Sequence, residues 1–277
     1  MLHSPDSPSI YGKVYLIGAG PGDPDLLTIK AAKAIASATV LMVDDLVNPA
    51  VLEHAAPNTR TIYVGKRGGC VSTPQALIEK LMVREAKAGH IVARIKGGDP
   101  YIFGRGGEEL ATLQAAGVAC EVINGITSGL AAATQVGVPL THRSHTQGVI
   151  FVTGHSKSDD SNPDPVNWAA LAASGMTLVI YMGMTHAAHI QAQLIAGGLK
   201  ASTPAVVVQN AGGGCDGYDT QHRFMTLGSL ASTIARQGLK SPSIMVIGQV
   251  VACGLAALEH AALSQKPAQA VRQQWVA

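Results

Sequence analysis

Apolar positions fall into two kinds of run that alternate along the chain. One kind is short and continuous: KVYLIG (13–18), TVLMV (39–43), TRTIYVG (59–65), HIVARI (90–95) and ACEVI (119–123). Such runs, bounded by turn residues, predict buried strands with mostly parallel pairing. The other kind has helical spacing. TIKAAKAIAS (28–37) has Thr28 as its cap, and NPAVLEHA (48–55) has Asn48 as cap and Pro49 in its first turn. TPQALIEKLMVREAKAG (73–89) has Thr73 as cap, Pro74 at its first position and Gly89 as its stop, and GEELATLQAAG (107–117) follows. After VPLTHRSHTQ the alternation resumes, with strands GVIFVTG, TLVIYMG, PAVVVQN and SIMVIGQVV and helices HAAHIQAQLIAGG and SLASTIARQG. The stretch HSKSDDSNPDPVN reads as a polar loop. The pattern predicts an α/β protein of two α/β domains with mostly parallel sheets: a loose tail at 1–12, domains at 13–143 and 144–251, and a further segment at 252–277.

Composition narrows the function classes. The 277 residues are 47% hydrophobic and 14% charged, which argues for packed cores rather than disorder. Net charge is +2, so no broad basic surface for nucleic acid is expected. No apolar run is long enough to span a membrane, and the opening MLHSPDSPSIYGK has no signal-peptide core. Cys70, Cys120, Cys215 and Cys253 are scattered, the usage of reduced thiols in a cytoplasm rather than of disulfides or zinc. His186 and His189 lie one helical turn apart without a third ligand nearby in sequence, so no metal is expected.

Ligands of open α/β sheets bind beyond the carboxyl ends of strands, which directs attention to the loops after Ile17, Val43, Val64, Ile95, Ile123 and Tyr181. The first, GAGPGDPD, resembles a dinucleotide turn, with Asp44 and Asp45 about where a ribose-binding acid lies. Its sixth position is Asp23 instead of glycine, and Asp23 and Asp25 oppose a pyrophosphate. A tight acidic turn without a ligand is the competing reading. GKR at 65–67 lacks the Ser or Thr of a Walker loop. The second loop, RIKGGDPYIFGRGGEE (94–109), carries five glycines, Lys96 and Arg105. Ligand contact is the favoured reading for Arg105, and helix capping for Glu108 and Glu109. The third, INGITSGLAAATQVGVPLTHRS, starts a helix of small residues at Thr127 and Ser128 and ends on His142, Arg143 and His145.

Nine segments in order, VYLIGAGPGDPDLL, DDLV, YVGKRGG, KGGDPYIFGRGGEE, NGITSG, VPLTHR, FVTGH, YMGM and SPSIMVIGQVV, resemble the uroporphyrinogen-methylating branch of the tetrapyrrole methylase superfamily from about Lys13 to Val251. The resemblance implies two α/β domains, S-adenosyl-L-methionine (SAM) bound in the cleft between them with SAH as product, no metal, and a homodimer. It implies C-methylation of two ring carbons of uroporphyrinogen III, giving precorrin-1 and then precorrin-2 for sirohaem or cobalamin synthesis. Residue by residue, it implies cofactor contacts at Pro21, Gly97, Gly98, Asp99, Ile102, Thr127, Ser128, Met182, Ala211 and Ser243. It assigns proton transfer to Asp44 and Lys66 and places Arg105 and Arg143 toward the tetrapyrrole, with Glu108 holding Arg105. On position alone, a helix cap is the favoured reading for Asp44 and a solvated strand end for Lys66; the resemblance reverses that order. Asp45, Cys70-Val71, Gly129 and Ser144 depart from the common pattern, mainly on the substrate side. The rival readings are a nicotinamide dehydrogenase, a superfamily methylase acting on a later corrin, diphthamide or ribosomal RNA, and a binding protein without activity.

Overall fold

The structure is a computed structural model that describes residues 12–65, 73–154, 166–213 and 220–256. They fall into two compact units, one within Met1–Ala132 and Gln209–Gln221, the other within Ala133–Val208 and His222–Ala277. The division comes earlier than the expected 143/144 boundary, and its cause is packing. Gly254 lies against Val138, and the Thr146 hydroxyl donates to the Gly175 carbonyl at 3.2 Å, so residues 136–146 belong with the second unit. Gly212 lies against the Pro21 ring, which draws 209–221 into the first.

The first unit is a five-stranded sheet in the order β3-β2-β4-β1-β5, formed by β1 (Lys13–Gly18), β2 (Val40–Val43), β3 (Arg60–Tyr63), β4 (Val92–Lys96) and β5 (Ala119–Ile123). Its four pairings are parallel, so all five carboxyl ends share one edge. The inner strands β1, β2 and β4 are largely buried because both faces are covered, whereas the edge strand β3 is mostly exposed. Leu41, Val43, Ala93 and Ile95 meet α1 (Ile29–Ser37) on one side. Val40, Met42 and Val92 meet Ile78 and Met82 of α2 (Gln75–Lys87) and Leu113 of α3 (Gly106–Ala115) on the other. The period-2 alternation of a strand thus assigns each residue to one of two cores. Thr28 caps α1 by accepting from the Ala31 amide at 3.1 Å, and Asn48 accepts from Ala50 at the start of a 3₁₀ turn. The expected Thr73 cap is corrected: Pro74 is extended (ψ 137°) and is itself the cap residue of α2, without a side-chain bond, so the helix starts one residue later than expected. Gly89 ends it with φ +88°, a conformation costly for any residue with a Cβ. α4 (Ser128–Gln135) starts where expected.

The second unit is a sheet in the order β6-β7-β10-β8-β9: β6 (Val149–Thr153), β7 (Thr177–Tyr181), β8 (Pro204–Gln209), β9 (Gln221–Thr226) and β10 (Ser243–Ile247). β6 and β7 are parallel, whereas β10 runs antiparallel to β7. Leu178, Ile180, Val207, Met245 and Ile247 build its core with Trp168 of α5 (Trp168–Ala173), Ile190 and Leu194 of α6 (Ala187–Ala196) and Leu230 and Ile234 of α7 (Leu230–Gln237). β9 and α5 were not expected. β9 is a polar edge strand, and α5 is a six-residue helix that Asn167 caps at the Ala170 amide. Among the described residues no helix is long and apolar enough to cross a membrane.

Candidate active site

At the common carboxyl edge of the first sheet, three backbones approach more closely than side chains allow. A Cβ on Gly125 would lie 2.2 Å from the Gly98 carbonyl oxygen, and one on Gly18 would lie 2.5 Å from the Gly125 nitrogen. Gly20 and Gly98 exchange two backbone hydrogen bonds, of 3.1 and 2.7 Å. Gly98, at φ +66°, faces Thr127 Cα and the Ser128 nitrogen, and Gly97 abuts Leu46. Asp99 is buried, and its carboxylate is spent on the chain itself: it accepts from the Tyr101 amide at 2.8 Å, the Gly125 amide at 3.1 Å and Asn124 Nδ2 at 3.2 Å. It therefore shapes the turn after β4 and fastens it to the loop after β5. Gly97, Gly98, Asp99, Thr127 and Ser128 come together, with Ile102 closing the turn through its amide to the Asp99 carbonyl at 3.3 Å.

The acidic turn is self-satisfied. Asp23 accepts from the Asp25 amide at 2.9 Å and caps a three-residue 3₁₀ turn, Pro24–Leu26. α1 begins only at Ile29, so the turn does not open directly into a helix N-terminus aimed at a pyrophosphate, which is what the dinucleotide reading needs. Pro21 carries the Gly212 turn beside the buried Ala211.

Asp44 ends the Val40–Val43 strand and is not a helix cap; Asn48 has that role. Its Oδ2 lies 3.0 Å from Arg94 Nη2 and 3.5 Å from Lys96 Nζ. Arg94 and Lys96 stand two residues apart on β4, hence on one face, the face covered by α2 and α3. There Glu109 Oε1 accepts from Arg94 Nε at 3.2 Å, Lys96 Nζ at 3.1 Å and Gln75 Nε2 at 3.1 Å. Arg94, Lys96 and Glu109 are buried, while the Asp44 side chain keeps 31% exposure. Two cations and two anions thus form a neutral cluster with one carboxylate at its open end. Glu109 Oε2 has no hydrogen-bond partner among the described residues. The capping expectation for Glu109 is corrected: the first turn of α3 faces the sheet, and the carboxylate neutralises buried cations. Arg94 was missed, although charged residues at alternate positions in VARIK signalled one polar patch on an otherwise apolar strand.

Arg105 has a left-handed backbone (φ +59°) as the residue before α3. Its Nε donates to both Glu108 oxygens at 3.1 Å, and Nη2 also contacts Glu108 Oε2. The pair is about half exposed, and the Glu108 carboxylate pushes the guanidinium pKa up against the opposing effect of burial. The four non-glycine residues with positive φ among those described, Phe103, Arg105, Met182 and Asn210, all lie in loops that follow β4, β7 or β8. Backbone strain of this kind concentrates at binding sites.

In the second unit, Met182 follows β7 and Ser243 begins β10. The antiparallel register sets Ile244 opposite Tyr181, which brings Met182 and Ser243 to the same end. Arg143 is exposed in the turn before β6. Lys66, with Arg67 and Cys70, lies outside the described residues.

Glycine-knit loops follow the strands of the first sheet, and one of them carries a partly exposed carboxylate, Asp44. The family model for Tetrapyrrole (Corrin/Porphyrin) Methylases matches residues 13–229, and the chain belongs to this family. It is 52% identical over 239 residues to a uroporphyrinogen-III C-methyltransferase of Pseudomonas aeruginosa, covering 86% of this chain and 94% of that one. It is 45% identical to siroheme synthase 2 of Aeromonas hydrophila over 87% of this chain, and spans about half that protein (49%). The crystal structure of uroporphyrin-III C-methyl transferase from Thermus thermophilus complexed with S-adenyl homocysteine aligns with TM-score 0.72 and 36% identity, over 87% of this chain and 93% of that one.

Proposed function

We propose that the chain is a SAM-dependent C-methyltransferase that converts uroporphyrinogen III through precorrin-1 to precorrin-2, feeding sirohaem or cobalamin synthesis. The observation that carries this reading is 52% identity across nearly the whole of a uroporphyrinogen-III C-methyltransferase. SAM supplies a methyl group on a cationic sulfonium. It has no phosphate, so a glycine turn followed by Asp23 and Asp25 suits it where it would repel a dinucleotide.

Gly97 and Gly98 offer bare backbone, and the spent carboxylate of Asp99 holds that backbone in place. Thr127, Ser128, Pro21, Ile102 and Ala211 are the further cofactor contacts of the first unit, and Met182 and Ser243 those of the second. Asp44, held by Arg94 and Lys96, is the group that takes the proton the methylated ring must lose, with Lys66 as its counterpart. The acceptor's carboxylates call for planar guanidinium forks; Arg105, fixed by Glu108, and Arg143 provide them. The protein works as a cytoplasmic homodimer and takes no nucleic acid partner.

The test is anaerobic incubation under reducing conditions with SAM and uroporphyrinogen III, followed by mass spectrometry. Two added methyl groups are expected. An unmodified tetrapyrrole beside an active relative would sink the reading, and methylation of only a later corrin would move the chain elsewhere in the family.

A further inference from the structure

Three metal-ligating side chains that the methyl-transfer reading does not use meet in the second unit. One ligand atom each of His142, His145 and Cys253 lies within 4.8 Å of the other two. We propose that these residues form a binding site for a borderline-soft divalent transition metal ion of the zinc class, with two imidazoles and one thiolate as ligands and a fourth position open.

The fold builds the cluster from two anchored segments. His142–Thr146 is a closed turn: His142 and Thr146 exchange backbone hydrogen bonds of 3.2 and 3.0 Å, and the His145 amide donates to the His142 carbonyl at 3.0 Å. The Thr146 hydroxyl, within reach of the Gly148 and Gly175 carbonyls at 3.1 and 3.2 Å, ties the turn down. The turn sets the two imidazole rings 4.6 Å apart, tilted by 36°. Cys253 lies on the helical stretch 251–256. Its neighbour Gly254 allows that stretch to touch residues 136–138: a Cβ there would lie 2.5 Å from Val138 Cγ2 and 2.7 Å from the Val136 carbonyl. Both segments are therefore held from outside the cluster.

Distance and chemistry agree. Around a tetrahedral ion with bonds of about 2.0 Å to nitrogen and 2.3 Å to sulfur, ligand atoms stand roughly 3.3–3.7 Å apart. Contraction from at most 4.8 Å needs shifts of about 1 Å, within reach of partly exposed side chains. Imidazole with thiolate selects zinc, copper or cobalt over magnesium or calcium. Binding converts the Cys253 thiol to thiolate, and its proton leaves to solvent. His142 Nδ1 accepts from the Ser144 amide at 3.2 Å, a long bond that the ion replaces at Nδ1 or that a tautomer shift disrupts if the ion sits at Nε2. Arg143 in the same turn opposes the cation, but it is exposed and water screens it. The site rests on none of the methyl-transfer assignments, so either reading can fail alone.

The test uses the full-length chain, reduced and freed of metal, titrated with Co²⁺ and then with Zn²⁺ in competition. Expected are a thiolate-to-cobalt charge-transfer absorption and its displacement by stoichiometric Zn²⁺. Cys253→Ser removes that absorption and Cys120→Ser retains it. His145→Gln, at an exposed position where folding is not at stake, weakens Zn²⁺ by more than the roughly 10–100-fold that loss of an outer-shell partner costs. Absence of the absorption in the wild type, its persistence in Cys253→Ser, or wild-type Zn²⁺ affinity in His145→Gln would each overturn the site.

Discussion

Replacing Arg94 with methionine tests the buried charge cluster directly. Methionine keeps much of the stem volume and removes the charge. Glu109 then loses its 3.2 Å donor and Asp44 its 3.0 Å donor. Breaking a buried ion pair by removing one partner costs about 3–5 kcal/mol. Glu109 retains Lys96 and Gln75, each at 3.1 Å, so the lower end, about 3 kcal/mol, applies. At about 2–4 °C per kcal/mol for a unit of this size, the melting midpoint falls by roughly 6–12 °C. Differential scanning calorimetry of the full chain reads this. The sharper measurement adds Glu109→Leu. Arg94→Met/Glu109→Leu leaves the Asp44–Lys96 pair intact and takes one cation and one anion out together. Because apolar replacement of a whole buried pair is often neutral or stabilising, the double variant should recover most of the lost stability. A shift below about 2 °C in Arg94→Met, or a double variant as unstable as the sum of its singles, would refute the reasoning.

Asp44→Asn keeps SAH affinity and slows single-turnover methylation by about 10²–10⁴-fold, the usual worth of general acid–base assistance; a wild-type rate leaves Asp44 only as the open end of the charge cluster. Arg105→Lys keeps the charge but loses the fork, costing about 1.5–3 kcal/mol, or on the order of ten- to a hundredfold in kcat/KM for uroporphyrinogen III, with melting midpoint and SAH affinity unchanged. Near-wild-type kcat/KM would reduce its contact with Glu108 to an ordinary surface pair. Glu121, which accepts hydrogen bonds from Lys13 and Lys30, has its pKa depressed from 4.5 to about 2. A depressed carboxylate contributes stability above its unfolded pKa and loses it as pH falls through the folded value. The stability gap between wild type and Glu121→Gln should therefore be full above pH 4.5 and close toward pH 2 in urea titrations; a gap independent of pH would contradict the ion-pair origin.

The first sheet was legible because its inner strands are covered on both faces and read as apolar runs between turns, and because Thr28 and Asn48 mark helix starts by chemistry that acts over three residues or fewer. α5 and β9 were not: six residues make fewer than two helical turns, and β9 lacks the continuous apolar run that marks the other strands. β9 also carries Gln221, His222 and Arg223, as an edge strand with a wet face can. The glycine turns were legible in the same way as the caps: a left-handed φ or a backbone contact leaves its mark at the residue itself.

The charge cluster was not legible, because the reason an arginine can sit inside a strand lies elsewhere in the chain. Asp44 is 50 positions from Arg94 and Glu109 is 15. The pairing of β2 with β4 sets Asp44 beside Arg94, and the packing of α3 over the sheet adds Glu109, which without that packing reads as an ordinary acid in a first helical turn. The same holds for Met182 and Ser243. Strand composition carries no record of direction. Had β10 entered parallel to β7, the end beyond Ile247 would stand beside Met182, and Ser243 would lie at the opposite edge. The reversal of one strand is what allows a residue that begins a strand to share one end of the sheet with a loop that follows a strand.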